Sequence, residues 1–285
     1  NHLSKNNKII VIDDLSSGKK ENLYKNKNIY FYKKKIQNLK KIKKIDGIFH
    51  LSAQSSVNKS FKNTYQSCSD NILGSIRIFE IAKKLKIPII YASSAAVYGN
   101  QVVGSDRDGK MDPLSPYAAD KMYLEKISKI FFNKFKLPSI GFRFFNVYGP
   151  NQFSSNYSGV ISVFINNLFK NKKTYINGGN QTRDFIFVKD IVQILDLFMN
   201  FIIEKKIMNE IYNVGTGKQV SINQVLKYLC KINKRKIKPI KKNYIVGDPE
   251  HSKGDFKKIM KILDKHNFNF TKLEKGLEIT SNNSL

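Results

Sequence analysis

Two stretches of the sequence decide the fold: IPIIYASSAAVYGN at residues 87–100 and SPYAADKMYLEKISKIFFNKF at residues 115–135. The apolar run Ile87 to Ser93 predicts a buried strand that ends in serines. Ser115 followed by Pro116 is typical of an N-cap and of the first position of a helix, so the second stretch predicts a helix. A strand followed by a helix is the repeating unit of parallel sheets.

Apolar runs of the same kind alternate with amphipathic stretches through the first half of the chain. Further strands are predicted at residues 8–12, 29–32, 47–52 and 139–144, and another helix at residues 69–85. Near-continuous apolar strands that alternate with helices indicate a parallel sheet covered on both faces. We therefore predict an α/β fold with a doubly wound parallel sheet, whose ligands would bind at the carboxyl ends of the strands.

The second half of the chain is less regular and is punctuated by glycines such as Gly178 and Gly179. We predict a first domain over residues 1–150 and a smaller C-terminal lobe over residues 151–285. Residues 184–214 of that lobe are expected to pack back on the first domain.

The charge of the chain is strongly positive. The 285 residues carry a formal net charge of +28, with 50 Lys and Arg against 22 Asp and Glu. The lysines are scattered in short runs, one of which extends from Lys231 to Lys242. Because arginine, the residue favoured for gripping phosphates and reading bases, is sparse, we expect a solvated lysine surface and no nucleic-acid partner. A protein that binds RNA or another partner through its lysines remains the alternative.

Hydropathy and cysteine usage indicate the cellular compartment of the protein. The longest apolar run, residues 191–203, contains Gln193 and Asp196 and predicts a buried helix rather than a membrane span, and the first residues form no hydrophobic signal core. Cys68 and Cys230 lie far apart without a pairing motif, which favours a reducing cytoplasm. The histidines and cysteines lack the spacing of metal ligands, so we expect no metal.

A serine, a tyrosine and a lysine form the first candidate site. Tyr117 and Lys121 are one helical turn apart, so the ammonium falls beside the phenol. A phenol with a pKa of about 10 is a poor base at neutral pH, and a fixed cation favours its phenolate. Ser94, at the end of the predicted strand, could bridge a substrate hydroxyl to that phenolate. The trio suits proton removal from an alcohol while a hydride leaves the same carbon; the tyrosine and lysine alone would be an ordinary helix pair.

Asp13 indicates the hydride acceptor. The residue directly follows the strand predicted at residues 8–12, and in a dinucleotide-binding fold an acid there takes both hydroxyls of the adenosine ribose, which selects NAD over NADP. The glycine-rich turn should begin about 20 residues upstream, yet no glycine precedes Asp13. We therefore expect the first strand and a pyrophosphate loop of the form GxxGxxG to lie upstream of Asn1.

Several further segments carry a resemblance to a known family and follow that family's order. They are VIDDLSSG at 11–18, HLSAQSSV at 50–57, DNILG at 70–74, FRFFNVYGP at 142–150 and GGNQTRDF at 178–185. With the trio above, they make the chain resemble, nearly end to end, the NAD-dependent epimerase/dehydratase family of extended short-chain dehydrogenases/reductases. Within that family it most resembles the UDP-glucose 4-epimerases and UDP-N-acetylglucosamine 4-epimerases. The resemblance implies a Rossmann-like fold with a smaller substrate-binding lobe.

The resemblance also implies roles for individual residues. Tyr117 would be the catalytic acid/base, Lys121 would lower its pKa and hold the nicotinamide ribose, and Ser94 would bridge the substrate hydroxyl. The residues that would bind NAD, together with Tyr117 and Lys121, are Asp13, Asp14, Leu51, Ser52, Ala53, Asn71 and Phe144. Those that would bind the nucleotide sugar, together with Ser94, are Asn146, Arg183 and Asp248.

The reaction implied by the resemblance is inversion of C4 of a UDP-hexose through a transient 4-keto sugar, with NAD regenerated. The hexose would be glucose or galactose, or an N-acetyl or uronic form, and His251-Ser252 is similar to the variant of UDP-N-acetylhexosamine epimerases. Ala95 and Ala96 stand where sugar 4,6-dehydratases have an Asp-Glu pair, and methyl groups cannot move the protons that loss of water requires. A reductase or decarboxylase of the same superfamily is the alternative.

Two positions depart from the family's pattern. Lys35 stands where an aspartate usually reaches the adenine amino group, and Ile245 stands where an arginine usually assists the diphosphate. By the same resemblance, the helices near residues 69–85 and 116–135 would pair across a homodimer.

Overall fold

The computed structural model describes residues 1–40, 42, 44–152, 159–243 and 250–283. The strands are β1 (Ile9–Asp13), β2 (Ile29–Lys33), β3 (Ile48–His50), β4 (Ile89–Ser94), β5 (Ser139–Phe144), β6 (Asn146–Tyr148), β7 (Tyr175–Asn177), β8 (Thr182–Phe187), β9 (Asn209–Val214), β10 (Gln219–Ser221) and β11 (Ile240–Lys242). Strands and helices alternate through most of the chain, so the predicted α/β fold is confirmed.

The helices occupy the segments between these strands. They are α1 (Val57–Lys62), α2 (Thr64–Cys68), α3 (Gly74–Leu85), α4 (Pro116–Phe135), α5 (Val160–Phe169), α6 (Val188–Ile203), α7 (Ile222–Ile232), α8 (Lys257–Lys265) and α9 (Leu273–Asn282). A π-helical turn, Ser69–Leu73, leads directly into α3, so the predicted helix at 69–85 begins in this turn. Among the described residues, no helix combines the length and the apolar character that crossing a membrane requires.

The strands pair in four groups. β3, β4, β5 and β9 form a four-stranded sheet in that order, and β3 is parallel to β4. β1 and β2 are parallel and pair only with each other among the described strands. β8 lies between β10, which is antiparallel to it, and β6, which is parallel to it, while β7 and β11 form a parallel pair.

Most predicted boundaries agree with the structure to within two residues. β5 and α4 have the predicted ends, and Ser115 caps α4 because its side chain accepts a hydrogen bond from the backbone N–H of Ala118. The strand predicted at residues 47–52 is shorter, because only Ile48–His50 pair with β4. The residues that follow His50 therefore belong to a loop at the strand end.

The chain divides into two compact units, each discontinuous in sequence. Unit 1 comprises residues 1–93, 115–142 and 192–211, and unit 2 comprises residues 94–114, 143–191 and 212–285. Each unit contains its own apolar core. In unit 1, α3 contributes fully buried Phe79 to a cluster that includes Ile89 and Tyr91 of β4. In unit 2, α5, α7 and β8 enclose a second cluster.

Candidate active site

Lys121 lies inside unit 1 beside Tyr117. The two residues follow each other by one turn of α4, and the lysine Nζ is 5.8 Å from the centroid of the tyrosine ring. The same Nζ donates a hydrogen bond of 2.7 Å to the carbonyl of Ala92 in β4. Both side chains are almost fully buried. The structure thus brings the phenol and the ammonium of the predicted site together and anchors the ammonium to the strand that ends at Ser94.

The environment of Lys121 changes its proton affinity. Burial disfavours the charged ammonium and lowers the pKa of Lys121 to about 8, although the neighbouring Asp120 carboxylate opposes this shift. At neutral pH the side chain is still mostly protonated. A positive charge therefore stands beside the Tyr117 ring at the pH at which a phenolate would be needed.

Asp120 is a site residue that the sequence analysis leaves without a role. Its carboxylate accepts a hydrogen bond of 2.9 Å from the side chain of Asn71, and both residues are buried. Asn71 is held in turn by Gln54, whose backbone N–H donates 2.8 Å to the Asn71 side-chain oxygen and whose carbonyl accepts from the Asn71 amide. Asn71 thus links the loop after β3 to α4, and Asp120 supplies the negative charge next to Lys121.

Two further titratable groups lie in this part of unit 1. Burial, together with a hydrogen bond to Asp120, raises the pKa of the Cys68 thiol to about 11, so the cysteine stays protonated. Burial, together with the positive charge of Lys121, lowers the pKa of His50 to about 3. The neutral His50 ring places Nε2 2.8 Å from the hydroxyl of Ser75. The Lys121 ammonium therefore has a neutral histidine near it, and Asp120 has a neutral thiol near it.

The first turn of α4 is tied to α1. The backbone N–H of Tyr117 donates a hydrogen bond of 3.2 Å to the hydroxyl of Ser60, which is fully buried. Helix N-termini leave N–H groups without intrahelical partners, and here Ser115 and Ser60 satisfy two of them. These bonds fix the start of the helix that carries Tyr117 and Lys121.

Ser94 is the last residue of β4 and belongs to unit 2, whereas Tyr117 and Lys121 belong to unit 1. Its hydroxyl accepts a hydrogen bond of 3.2 Å from the backbone N–H of Ala96 and so caps the short 3₁₀ helix Ala95–Tyr98. The side chain is half-buried. Joint action of Ser94 with the tyrosine and the lysine stays a prediction.

A buried polar network holds the segment after Ser94 within unit 2. The Tyr98 hydroxyl donates to the Asn213 side-chain oxygen at 2.6 Å and accepts from Arg143 at 2.8 Å. The Asn213 amide donates to the carbonyls of Gly104 and Asp255. Burial raises the pKa of Tyr98 to about 12 even though Arg143 opposes the shift, so the phenol remains a donor. None of these residues is predicted as a site residue from the sequence.

The end of β1 presents two carboxylates. Asp13 accepts a hydrogen bond of 2.7 Å from the backbone N–H of Leu15, and Asp14 accepts one of 2.9 Å from Ser16. Partial burial alone would raise the pKa of Asp14, but the bonds from Ser16 and the positive charge of Lys35 outweigh it and lower the pKa. Carboxylate oxygens at a strand end can accept hydrogen bonds from the hydroxyls of a ribose. These residues therefore fit the adenosine half of NAD.

The other residues predicted to contact NAD lie at strand ends or on the π-helical turn. Leu51 and Ser52 are exposed and Ala53 is half-buried in the loop after β3, while Phe144 is the half-buried last residue of β5. The turn contributes Asn71. The donor set suits a dinucleotide, because carboxylates at β1 and the Lys121 ammonium offer partners for two riboses.

Two of the predicted sugar-nucleotide residues are on neighbouring strands of unit 2. Asn146 is exposed on β6 and pairs with Phe185 of β8, two residues after Arg183. The Arg183 guanidinium is largely buried and donates to the carbonyls of Thr182 and Glu250. Asp248, like Ile245, lies outside the described residues. Over the described ranges, no group of His, Cys, Asp or Glu side chains could hold a metal ion.

The fold and the tyrosine–lysine pair define a Rossmann-like α/β protein of the dehydrogenase/reductase type. The chain belongs to the NAD dependent epimerase/dehydratase family, whose model matches residues 1–215. NAD is therefore its cofactor.

Comparisons with individual proteins agree with this family. A putative UDP-glucose 4-epimerase of Methanocaldococcus jannaschii is 34% identical over 230 residues, which cover 78% of this chain and 73% of that protein. A dTDP-D-glucose 4,6-dehydratase of Dictyostelium discoideum is 33% identical over 253 residues, 80% of this chain but 57% of that protein. The solved structure of UDP-N-acetylglucosamine 4-epimerase from Methanobrevibacter ruminantium, in complex with UDP-N-acetylmuramic acid, matches with a TM-score of 0.92 at 32% identity over 99% of this chain and 92% of that one.

Proposed function

We propose that the protein is a nucleotide-sugar 4-epimerase that inverts C4 of a UDP-hexose. UDP-glucose and UDP-galactose, or the N-acetyl or uronic counterparts, are the substrate class. The similarity to UDP-sugar epimerases supports the nucleotide and the sugar. A dehydratase among the relatives makes the choice between epimerisation and loss of water the decisive question.

The two alanines after Ser94 favour epimerisation over loss of water. Elimination of water from a sugar needs side chains that take and give protons at neighbouring carbons. Ala95 and Ala96 offer only methyl groups at the end of β4, where they open the 3₁₀ helix capped by Ser94. A site without an acid and a base at these two positions favours reversible oxidation and reduction at one carbon.

Tyr117 is the proposed proton carrier. In the oxidation, the phenolate oxygen takes the proton of the C4 hydroxyl. In the reduction, the hydride returns to the other face of C4 and the phenol gives its proton back to the C4 oxygen. The Lys121 ammonium stabilises the phenolate electrostatically, because Nζ is only 5.8 Å from the centroid of the ring. Ser94 would donate a hydrogen bond to the reacting oxygen and hold it near the phenol.

Asp13, Asp14 and Lys121 would hold NAD by its ribose hydroxyls. NAD, when bound, supplies the acceptor and then the donor for the hydride of the sugar carbon. An ammonium has three N–H donors, and Lys121 directs one of them to Ala92. The other donors of Lys121 are suited to the nicotinamide ribose.

The substrate would bind along β6 and β8 of unit 2. Arg183 is proposed to pair with the diphosphate by charge-assisted hydrogen bonds, and Asn146 to contact the sugar nucleotide from the adjacent strand. We further propose that the protein is a cytoplasmic homodimer in which the helices α3 and α4 pair with their copies. The free thiols of Cys68 and Cys230 support the reducing compartment.

A product analysis tests the proposal. The protein is incubated with NAD and, separately, UDP-glucose, UDP-N-acetylglucosamine and UDP-glucuronic acid, and the products are identified by NMR. We expect one of these sugars to be converted to its C4 epimer without net formation or consumption of NADH. Net formation of NADH together with an oxidised sugar would indicate a reductase running in reverse. Loss of CO₂ would indicate a decarboxylase, and a 4-keto-6-deoxy sugar a dehydratase.

The matched variants are Tyr117→Phe and Tyr123→Phe. Both remove one phenolic hydroxyl from α4, but only Tyr117 is placed beside Lys121. Tyr117→Phe should lower kcat by at least about 100-fold, the usual contribution of a general acid/base, and Tyr123→Phe should leave it unchanged. Equal rates for the two variants would contradict the assignment.

A further inference from the structure

A cavity lies in unit 2, at the ends of α5 and α7. Its volume is about 520 Å³, and it is lined by residues that follow the two helices and precede β7 and β11. This volume is within the range of pockets that hold small molecules. None of the residues assigned above to NAD or to the nucleotide sugar lines it.

The lining of this cavity is cationic. Its charged side chains all carry a positive charge: Lys172, Lys173, Arg235, Lys236 and Lys238. No aspartate or glutamate is among the lining residues that the structure describes. Like charges grouped around one concave surface repel each other, and a multiply charged anion would remove that repulsion.

One of the cations is fixed in place. The Arg235 guanidinium donates to the carbonyl of Leu168 at 2.6 Å and to the side-chain oxygen of Asn171 at 3.0 Å. Its central carbon lies 5.6 Å from the centroid of the Phe169 ring. Arg235 therefore joins the end of α5 to the segment after α7 and holds the two lysine pairs around one cavity.

Thr174 adds a polar group that the fold does not use. The residue lines the cavity, is 1% exposed, and its side-chain hydroxyl is buried without a hydrogen-bond partner among the described residues. Its backbone carbonyl is satisfied by the N–H of Ile240. The hydroxyl has almost no accessible area, so a ligand oxygen reaches it only when a lining side chain moves aside, and that oxygen would then supply the acceptor that the fold lacks.

Lysines after helix C-termini have a simpler explanation, because they interact favourably with the helix dipole. That explanation accounts for Lys172 and Lys173 after α5 and for Lys236 after α7. It does not account for an unpaired buried hydroxyl in the same cavity, nor for the absence of carboxylates from the described lining. The combination of features is that of an anion site.

We propose that this cavity binds a small, multiply phosphorylated molecule. Its phosphate oxygens would accept hydrogen bonds from Thr174 and from the lysines, and Arg235 would act as the fixed cation that orders them. The site is independent of the proposed epimerase chemistry, since it uses none of the same residues.

Titration calorimetry with inorganic tripolyphosphate at about 0.15 M salt, where surface charges are largely screened, tests the proposal. The cavity variant is Lys173→Gln/Lys236→Gln. Its matched control is Lys261→Gln/Lys265→Gln, two exposed lysines on α8 of the same unit. We expect saturable binding that the cavity variant weakens at least about tenfold and the control less than about twofold. Equal weakening by both variants, or no saturable binding, would overturn the proposal.

Thr174→Val provides the second arm, because it keeps the shape of the side chain and removes the unpaired hydroxyl. The variant should be at least as stable as the natural chain in urea when no ligand is present, and it should bind tripolyphosphate more weakly. If it binds tripolyphosphate as tightly as the natural chain, the hydroxyl is not part of a site and the proposal is wrong.

Discussion

Lys121 and His50 show how two buried basic side chains share one environment. Burial lowers the pKa of both, to about 8 for the lysine and to about 3 for the histidine, and the lysine charge contributes to the shift of the histidine. At neutral pH only Lys121 is charged. The ammonium that the proposed chemistry requires is kept because its pKa of about 8 stays above neutral pH, with the Asp120 carboxylate opposing the effect of burial.

His50 should make the stability of the protein sensitive to acid. In the unfolded chain the residue binds a proton near its ordinary pKa of 6.5, whereas in the folded chain it does so only near about 3. Between these values the unfolded state binds more protons, so the free energy of unfolding falls as the pH falls. His50→Gln should remove about 2 kcal/mol of the stability lost between pH 7 and pH 5, as measured by urea unfolding.

His266→Gln is the control for that measurement, because His266 is exposed. It should lose as much stability on acidification as the natural chain does. If His50→Gln shows the full acid-induced loss as well, His50 is not the group responsible.

At the scale of elements, the segment between β4 and α4 depends on one glycine. Gly99 has φ of +56°, and a Cβ at this position would lie 2.0 Å from the carbonyl oxygen of Asp112. The contact is with backbone, so a side chain cannot simply rotate away. Only glycine allows the chain to turn here after the 3₁₀ helix Ala95–Tyr98.

Gly99→Ala should therefore destabilise the protein strongly. Gly109→Ala is a close control, since Gly109 also has a positive φ, +70°, but a Cβ there would meet no atom within 4 Å. We expect Gly109→Ala to cost about 1 kcal/mol from backbone strain and Gly99→Ala at least about 2 kcal/mol more, measured by urea unfolding. Similar losses for both variants would show that the Asp112 contact does not limit this turn.

The sequence predicts well what depends on local spacing. Tyr117 and Lys121 lie close together because they are four positions apart on one helix, and Ser115 and Pro116 mark the start of α4. It cannot predict the Asn71–Asp120 bond, because the two residues are 49 positions apart and either alone resembles an ordinary surface polar residue. A strand pattern also does not reveal which strand is its neighbour.

The pairing of β1 with β2 is an example of a neighbour that the sequence does not reveal. The apolar runs predicted β1, β2 and β3 as strands, but not that β1 and β2 pair in a sheet of their own among the described strands. Pairing is decided by backbone hydrogen bonds between distant segments, and apolar periodicity carries no information about them.

At the scale of the whole molecule, the proposed homodimer is the feature that a solution measurement decides. Apolar side chains are exposed along the helices predicted to pair: Leu73 is 56% exposed, Tyr123 37% and Ile130 56%. A second copy that covers such side chains would stabilise the assembly by burying apolar area.

Light scattering after gel filtration should give twice the chain mass of 32.8 kDa for the natural protein. Ile130→Glu should give the single-chain mass, because a carboxylate in an apolar interface is costly. Ile203→Glu, at an isoleucine of α6 that is 49% exposed and lies outside the predicted interface, should leave the dimer intact. A natural chain that elutes at 32.8 kDa would contradict the dimer.

In the proposed reaction, one carbon of a UDP-hexose loses its hydrogen and regains it while Tyr117 takes up and returns the proton. The most direct test follows deuterium placed at C4 of the substrate that is converted, with NAD supplied and the product analysed by mass spectrometry. We expect a C4 epimer that retains the deuterium and incorporates no solvent hydrogen at C4, since the same hydride returns to the same carbon. Loss of the label to solvent, or a dehydrated product, would contradict it.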